Sequence, residues 1–198
     1  MIKSSFLMAS ILLFSTASLA ESNLPRHGYI DNPPSRAFLC SSMGKNLNKG
    51  CGAVQYEPQS VEGPKGFPER GPKDCEIASG GNRNFSQLNE QTKERWHKVN
   101  IKSGKNEFFW SLTAPHRTTS WQFFITKQDW DPNTPLTRDD FELKPFCERQ
   151  DNGNTPTNRV QINCDIPERT GYQIILGVWT IADTANAFYQ VIDANVTK

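Results

Sequence analysis

Three histidines are the residues of this sequence whose side chains bind metal ions most readily. His27 comes directly before Gly28 and Tyr29, His116 lies between two predicted strands, and His97 follows a tryptophan in a loop-rich region. A loop histidine beside a sheet edge is well placed to be a ligand, although each one alone is more often an ordinary surface residue. The cysteines contain no Cys-x-x-Cys spacing, so they do not match a zinc motif.

The first twenty residues have the pattern of a secretory signal peptide. Lys3 gives a basic start, residues 6–14 are apolar except for Ser10, and Ser18-Leu19-Ala20 places small residues at a cleavage site. A buried amino-terminal helix is the alternative, but the three features occur together and in order. The apolar run is too short to cross a bilayer, so we expect a secreted, extracellular protein without a membrane span.

The charge balance excludes two classes of partner. The chain has 22 Lys and Arg against 21 Asp and Glu, and its basic residues are scattered. A chain with a net charge near zero has no electrostatic field that would attract nucleic acid or anionic lipid. A neutral polymer is therefore the better partner, and we expect the protein to bind neither nucleic acid nor membranes.

Five cysteines lie in the exported part of the chain, where cysteines usually pair. We favour the two local pairs, Cys40 with Cys51 and Cys147 with Cys164. Closing a loop of about 15 residues stabilises a fold by roughly 3 kcal/mol in the chain-entropy model. Other connectivities remain open, and Cys75 is the odd cysteine in our preferred scheme.

The elements that must position these residues change in character along the chain. Residues 26–106 are rich in Pro, Gly and Asn, which predicts long loops with a helical turn or two at 86–96. Turn residues follow at 131–133 and 150–155. β-Branched and aromatic residues predict strands at 107–113, 120–127, 159–163, 172–181 and 188–196. Several short strands and no long amphipathic helix predict an all-β fold, an antiparallel β-sandwich.

Several motifs in this order resemble the bacterial-type lytic polysaccharide monooxygenases, first described as chitin-binding proteins. The resemblance runs from His27 to Lys198, and its two longest blocks, at 55–63 and 181–189, are highly specific. The motifs are His-Gly-Tyr at 27–29, Pro-Ser-Arg at 34–36, Gln-Tyr-Glu-Pro-Gln-Ser-Val-Glu-Gly at 55–63, Thr-Thr-Ser-Trp at 118–121, Phe-Phe-Ile-Thr at 123–126, the segment 143–147, and Ile-Ala-Asp-Thr-Ala-Asn-Ala-Phe-Tyr at 181–189.

The resemblance implies an immunoglobulin- or fibronectin III-like sandwich with a long, partly helical loop region inserted early. It also implies one copper ion per chain, held by the amine and ring of an amino-terminal histidine and by a second histidine; the matching positions are His27 and His116. The implied reaction is C1 oxidation of crystalline chitin, with an external electron donor and with oxygen or hydrogen peroxide as co-substrate.

Further residues of this sequence match individual functional positions of the family. Phe188 matches an aromatic residue on one axial side of the copper, Ala114 a small residue on the other side, and Glu62 a carboxylate near the metal. Without the resemblance, we would read them as a core aromatic, a strand alanine and a solvated glutamate. The positions matching the flat chitin-binding surface are polar or aromatic: Tyr56, Glu57, Asp183, Thr184 and Asn186. His97 matches no ligand and is read as a surface residue. Trp96, Trp110, Trp121 and Trp179 are read as core, and Trp130 as part of a loop cluster.

One feature departs from the family pattern. The histidine brace needs His27 to be the first residue, whereas signal cleavage after Ala20 leaves residues 21–26 in front of it. We therefore divide the chain into a signal peptide (1–20), a short extension of uncertain processing (21–26) and one copper monooxygenase or chitin-binding domain (27–198). A trypsin-like protease could cut after Arg26, the extension could stay, or the cleavage site could lie elsewhere.

Three functions follow from these patterns. A copper-dependent chitin monooxygenase is the leading hypothesis, and a secreted non-catalytic chitin-binding protein or adhesin is the alternative, favoured if residues 21–26 are retained. A structural sandwich domain with a protein partner has the least support. Cellulose is a second candidate substrate. We expect a monomer, in which Cys75 is either buried and inert or free to form a dimer on oxidation.

Overall fold

The computed structural model describes residues 27–198 of the chain. The signal peptide predicted at 1–20 and the extension at 21–26 lie outside the described residues. Within 27–198, nine strands form two sheets, and one short α-helix and five 3-10 helices occur along the chain between the strands. The strands are β1 Gly28–Asn32, β2 Glu62–Pro64, β3 Val99–Lys102, β4 Gly104–Leu112, β5 Thr118–Ile125, β6 Cys147–Asn154, β7 Arg159–Ile166, β8 Gly171–Ile181 and β9 Asn186–Thr197.

The two sheets make the predicted antiparallel β-sandwich. One sheet has the order β1-β4-β7, and the other has the order β2-β9-β8-β5-β6. The pairs within both orders are antiparallel, and β3 adds to β9 as a parallel strand. The expected immunoglobulin/fibronectin III-like class is therefore confirmed.

The central strand β8 is buried on both faces, which explains its nearly continuous apolar sequence. Ile175 and Trp179 belong to the core between the two sheets. Ile174 and Leu176, on the opposite face, belong to a second core beneath the early loop region. Successive strand residues point to opposite faces, so one strand contributes to both cores.

The early region is irregular, as predicted, and covers the outer face of the larger sheet. Its helix α1 spans Arg36–Cys40, and its 3-10 helices span Gly52–Gln55, Pro58–Ser60, Ile77–Ser79 and Arg83–Asn89. The last of these lies near the helical turn predicted at 86–96. A further 3-10 helix, Arg138–Asp140, follows β5.

A buried ion pair fastens this region to the sheet. The Arg36 guanidinium donates to both carboxylate oxygens of Asp193 on β9, at 2.9 and 2.6 Å. The Tyr172 hydroxyl donates to the same carboxylate at 2.6 Å. A buried carboxylate is stable only when it is paired and hydrogen-bonded, so these contacts hold α1 in one place on β9.

The structure corrects some strand predictions. Residues 150–155 were expected to form a turn, but 150–154 belong to β6, and the chain reverses after Asn154. Strands β1, β2 and β3 were not predicted, because each is short and lies in a loop-rich sequence. They form because longer strands offer them partners: β1 pairs with β4, and β2 and β3 pair with β9.

Both disulfides join the pairs favoured from the sequence, Cys40–Cys51 and Cys147–Cys164. The first links α1 to the segment before the 3-10 helix Gly52–Gln55, and the second links β6 to β7. Cys75 is free and exposed, so the expectation that it could be buried is wrong. Trp96, Trp110, Trp121 and Trp179 are buried as predicted, and no helix within 27–198 is long and apolar enough to cross a membrane.

Candidate metal centre and docking surface

His27 lies immediately before β1 and is held through its backbone. Its carbonyl oxygen accepts hydrogen bonds from the amides of Thr113 and Ala114, at 2.8 and 3.3 Å, and from the Thr113 hydroxyl at 3.0 Å. These donors lie just beyond β4, the partner of β1. The pairing of β1 with β4 therefore brings the start of the described chain to the segment that contains His116.

His116 lies in the link between β4 and β5 and is buried. Its ring packs against Trp179 on β8, with the centroids 5.7 Å apart. Its Nδ1 atom lies 3.8 Å from the Asp183 carboxylate. The imidazole is thus held between the inter-sheet core on one side and the loop that joins β8 to β9 on the other.

Phe188 brings the two histidines together. Its ring centroid is 5.8 Å from that of His27 and 6.0 Å from that of His116. The side chain is fully buried and stacks on Trp179 at 4.9 Å. Residues far apart in the sequence therefore place two imidazoles against the same aromatic ring.

Glu62 lies on β2, opposite Phe188 on β9. The carboxylate is half-buried and accepts a hydrogen bond from the Asn186 amide at 2.9 Å. Glu62 is therefore fixed beside the histidines by one of the residues predicted to bind the polymer.

Burial lowers the pKa of His27, and the neighbouring His116 lowers the pKa further, while the carboxylates of Glu62 and Glu57 oppose this shift. The net effect is to favour the neutral imidazole, because desolvation disfavours the charged form. Neutral imidazole is the form that binds a metal ion.

The donor set fits a metal ion that accepts nitrogen ligands. The buried Nδ1 atom of His27 has no hydrogen-bond partner among residues 27–198, and a buried polar atom normally has one. In the same part of the chain, no group of three or more His, Cys, Asp or Glu side chains is arranged to hold a metal. The two imidazoles are therefore the side chains through which this site could hold a metal ion.

Ala114 is half-buried, and its backbone amide donates to the His27 carbonyl as described above. Its predicted place beside a metal ion stays a prediction. His97 is exposed, and its amide donates to Asn48 at 2.9 Å, which agrees with its interpretation as a surface residue.

The five predicted docking residues lie beside the histidines: Tyr56 and Glu57 between two 3-10 helices, Asp183 and Thr184 in the loop after β8, and Asn186 at the start of β9. Tyr56 is 82% exposed, which is unusual for a large aromatic side chain. Glu57 and Asp183 are also exposed, and Thr184 and Asn186 are half-exposed. Asp183 reaches His116, Asn186 reaches Glu62, and Glu57 lies close enough to act on His27.

Two residues near this site were not assigned to it from the sequence. Trp179 was predicted only as core, yet it packs against His116 and donates from its indole nitrogen to the Thr118 hydroxyl at 2.8 Å. Lys65 was not singled out, although it binds the loop that carries Asp183. A lysine two residues after the 55–63 block was the available signal, but its partners are backbone carbonyls that no sequence pattern marks.

The sandwich, the paired histidines and the adjoining polar loops define a class of protein. The family model of the lytic polysaccharide mono-oxygenases, described as cellulose-degrading, matches residues 27–194. The chain therefore belongs to the lytic polysaccharide mono-oxygenase family.

Two curated relatives are named for the binding of GlcNAc. GlcNAc-binding protein A of Yersinia enterocolitica is 53% identical over 169 residues, which are 85% of this chain and 34% of the relative. GlcNAc-binding protein A of Shewanella oneidensis is 48% identical over 192 residues, which are 96% of this chain and 40% of the relative. The chain thus spans only 34–40% of the length of these relatives.

Solved structures share the fold. A lytic polysaccharide monooxygenase of Photorhabdus luminescens has a TM-score of 0.85 at 53% identity, covering 86% of this chain and 99% of that one. A Bacillus amyloliquefaciens protein, solved in complex with Cu(I), has a TM-score of 0.78 at 44% identity, covering 86% of this chain and 100% of that one.

Proposed function

We propose that the chain is a secreted, copper-dependent monooxygenase that binds crystalline chitin and cleaves it by oxidation at C1. The observation that carries this proposal is the pair of imidazoles, His27 and His116, packed against Phe188, with a buried Nδ1 atom of His27 that lacks a partner within residues 27–198. Imidazole and amine nitrogens are good ligands for copper. The Cu(I) complex of the related Bacillus amyloliquefaciens protein supports the same metal.

Copper bound at this site would supply the one-electron redox chemistry that inserts an oxygen atom into the C1–H bond. The overall reaction consumes either oxygen with two electrons and two protons from an external donor, or one hydrogen peroxide, and it releases one water. The sugar hydroxylated at C1 then expels the oxygen of the neighbouring sugar as its 4-hydroxyl and becomes a lactone, and the lactone takes up one water to give an aldonic acid end. Because the bond is broken by oxidation, no pair of hydrolytic carboxylates is required.

The side chains around the histidines have separate tasks in this proposal. Phe188 is fully buried and excludes water from one side of both imidazoles. Ala114, whose side chain is a single methyl group, would leave space for the co-substrate on the other side. Glu62, fixed by Asn186, places a carboxylate next to His27 that can position the co-substrate and hold a proton.

Chitin is the proposed polymer. The exposed Tyr56 ring can lie against a sugar face, and the polar groups of Glu57, Asp183, Thr184 and Asn186 can bind the amide and hydroxyl groups of the polymer. The relatives named GlcNAc-binding protein A favour this choice. The family description names cellulose, so a binding comparison on the two polymers tests the choice directly, and a preference for cellulose would overturn it.

A non-catalytic chitin-binding protein is the second candidate, because residues 21–26 precede His27. An amide nitrogen at His27 is a far poorer copper ligand than a free amine. If these residues stay in place, the same surface can hold chitin but the brace is incomplete.

The deciding experiment is intact mass and amino-terminal sequencing of the secreted protein, followed by copper titration. A chain that begins at His27 and binds one copper ion supports the monooxygenase. A chain that retains residues before His27 and binds no copper tightly supports the binding protein. Mass spectrometry of the soluble products then tests for aldonic acid ends.

A further inference from the structure

The loop that joins β8 to β9 carries two of the proposed docking residues, Asp183 and Thr184. It consists of residues 182–185, and Asp183 is exposed while its carboxylate reaches His116 at 3.8 Å. The conformation of this loop therefore determines which groups face a polymer beside the histidines.

Lys65 binds both ends of this loop. Its ammonium donates to the carbonyl of Ile181, at the end of β8, at 3.2 Å and to that of Thr184 at 2.5 Å. Its backbone amide donates to the carbonyl of Ala185 at 3.0 Å. Hydrogen bonds from a charged donor are roughly twice as strong as neutral ones, so this half-buried side chain is a strong clamp.

The clamp is attached to a rigid support. Lys65 directly follows β2, which pairs with β9 from Glu62 opposite Phe188 to Pro64 opposite Asn186. Gly63 in this strand packs so tightly that an added Cβ would lie 1.7 Å from the carbonyl oxygen of Gly80. The segment before Lys65 is thus held by β9 on one side and by Gly80 on the other, which gives the clamp a firm anchor.

We propose that Lys65 is a positioning residue that holds the 182–185 loop in the conformation that presents Asp183 and Thr184 to the polymer. It acts through backbone carbonyls and does not itself touch the substrate. This inference rests on the proposed function, because it takes this face to be the one that binds chitin.

The physical basis is the conformational freedom of the loop. Ordering a backbone residue costs about 1–2 kcal/mol, so a four-residue loop that is free before binding loses affinity when it is ordered on the polymer. The apparent Kd equals the intrinsic Kd divided by the fraction of molecules already in the competent conformation. If loss of the clamp leaves about a tenth of the molecules competent, the Kd for chitin rises about tenfold.

The test compares chitin binding and amide exchange in the secreted protein and its variants. Lys65→Met keeps the length of the side chain but removes the donors, and Lys65→Arg retains charge and donors. The control is Lys127→Met. The Lys127 ammonium likewise donates to a backbone carbonyl, that of Asp139, at 2.7 Å. Lys127 follows the end of β5 that is remote from His116. Binding isotherms on chitin are measured without metal, so copper loading does not enter the result.

We expect Lys65→Met to weaken chitin binding about tenfold and to speed hydrogen exchange at the amides of Ala182 and Asn186. These amides lie at the two ends of the loop. The Ala182 amide donates to the Arg117 carbonyl at 2.8 Å, and the Asn186 amide donates to the Thr184 hydroxyl at 3.2 Å. Lys65→Arg restores both properties in large part, and Lys127→Met changes neither. If Lys65→Met does not fold, Lys65→Gln takes its place with the same expectations.

Unchanged exchange at Ala182 and Asn186 in the lysine variant would overturn the proposal, and so would unchanged chitin binding by a variant whose loop exchanges faster. Failure of the wild-type protein to bind chitin is a different result. It would contradict the proposed function and with it the docking role of Lys65, whereas the exchange data would still decide whether the clamp exists.

Discussion

The ring of Phe188 contacts both candidate metal-binding histidines, with centroid distances of 5.8 Å to His27 and 6.0 Å to His116. The two histidines are 89 positions apart in the sequence, from 27 to 116, and neither belongs to a strand. A buried aromatic ring on β9 thus acts as the shared wall of the candidate site. This relationship links the stability of the sandwich to the geometry of the proposed copper centre.

Replacing Phe188 by Leu should change the copper site, whereas an equally destabilising substitution elsewhere in the core should not. The matched control is Phe124→Leu, because Phe124 is equally buried but belongs to the core beneath the loop region. We expect both variants to lose about 1–3 kcal/mol of unfolding free energy, as measured by urea denaturation. Only Phe188→Leu should change the electron paramagnetic resonance spectrum of bound Cu(II), and identical spectra would show that the ring does not shape the site.

Removing the imidazole of His116 should abolish tight copper binding. Loss of a partner that only supports a ligand typically costs 10–100-fold in metal affinity, so loss of the ligand itself should cost more than about 100-fold. His97→Ala is the control, because His97 is exposed and lies outside the site. Isothermal titration with copper measures both variants, and wild-type affinity in His116→Ala would refute the assignment of this ligand.

Blocking cleavage after Arg26 should separate polymer binding from oxidation. We expect Arg26→Gln to leave residues before His27 in the secreted protein, which then binds chitin but neither holds copper tightly nor releases aldonic acid ends. The control is a chain produced with His27 as its first residue, which lacks the blocked site and should show both properties. Full activity of a protein that mass spectrometry shows to retain residues 21–26 would contradict the brace at His27.

Truncating Tyr56 should weaken docking without destabilising the fold. The side chain is 82% exposed, so Tyr56→Ala should change the unfolding free energy by less than about 0.5 kcal/mol. Loss of an aromatic contact at the centre of an interface costs about 1–2 kcal/mol, or roughly 5–30-fold in the Kd for chitin. Leu143→Ala, at a residue that is 45% exposed, serves as the control. Equal binding by the two variants would remove Tyr56 from the docking surface.

The buried Arg36–Asp193 pair should matter for stability in a way that a surface pair does not. Removing one partner of a buried pair leaves an uncompensated charge, so Asp193→Asn should lower the unfolding free energy by about 3–5 kcal/mol. The control is Asp74→Asn, which breaks the exposed Arg138–Asp74 pair and should cost less than about 1 kcal/mol. Chemical denaturation measures both, and a similar small loss in the two variants would contradict the clamping role of the buried pair.

The later strands could be predicted from the sequence because their residues have strong local preferences. Strands β8 and β9 are rich in β-branched and aromatic residues, and the predicted ranges agree with the structure to within two residues at each end. The prediction of a turn at 150–155 was wrong because Asn, Gly and Gln in an edge strand have the composition of a loop. Pairing with β5 makes the segment part of β6, but a bulge remains: the register passes from Gln150 to Asn154, and Asn152 and Gly153 between them have positive φ.

The sequence by itself determined the family, the all-β class and the preferred disulfide pairs, and it led to the prediction that two of the histidines bind a metal. These follow from residue types, spacing and long specific motifs. Only the tertiary structure decided that His27, His116 and Phe188 meet, that Glu62 is held by Asn186, and that Lys65 clamps the loop of Asp183. The reason is physical: these contacts depend on strand pairing and on backbone carbonyls, and both are set by the packing of distant segments and not by the identity of neighbouring residues.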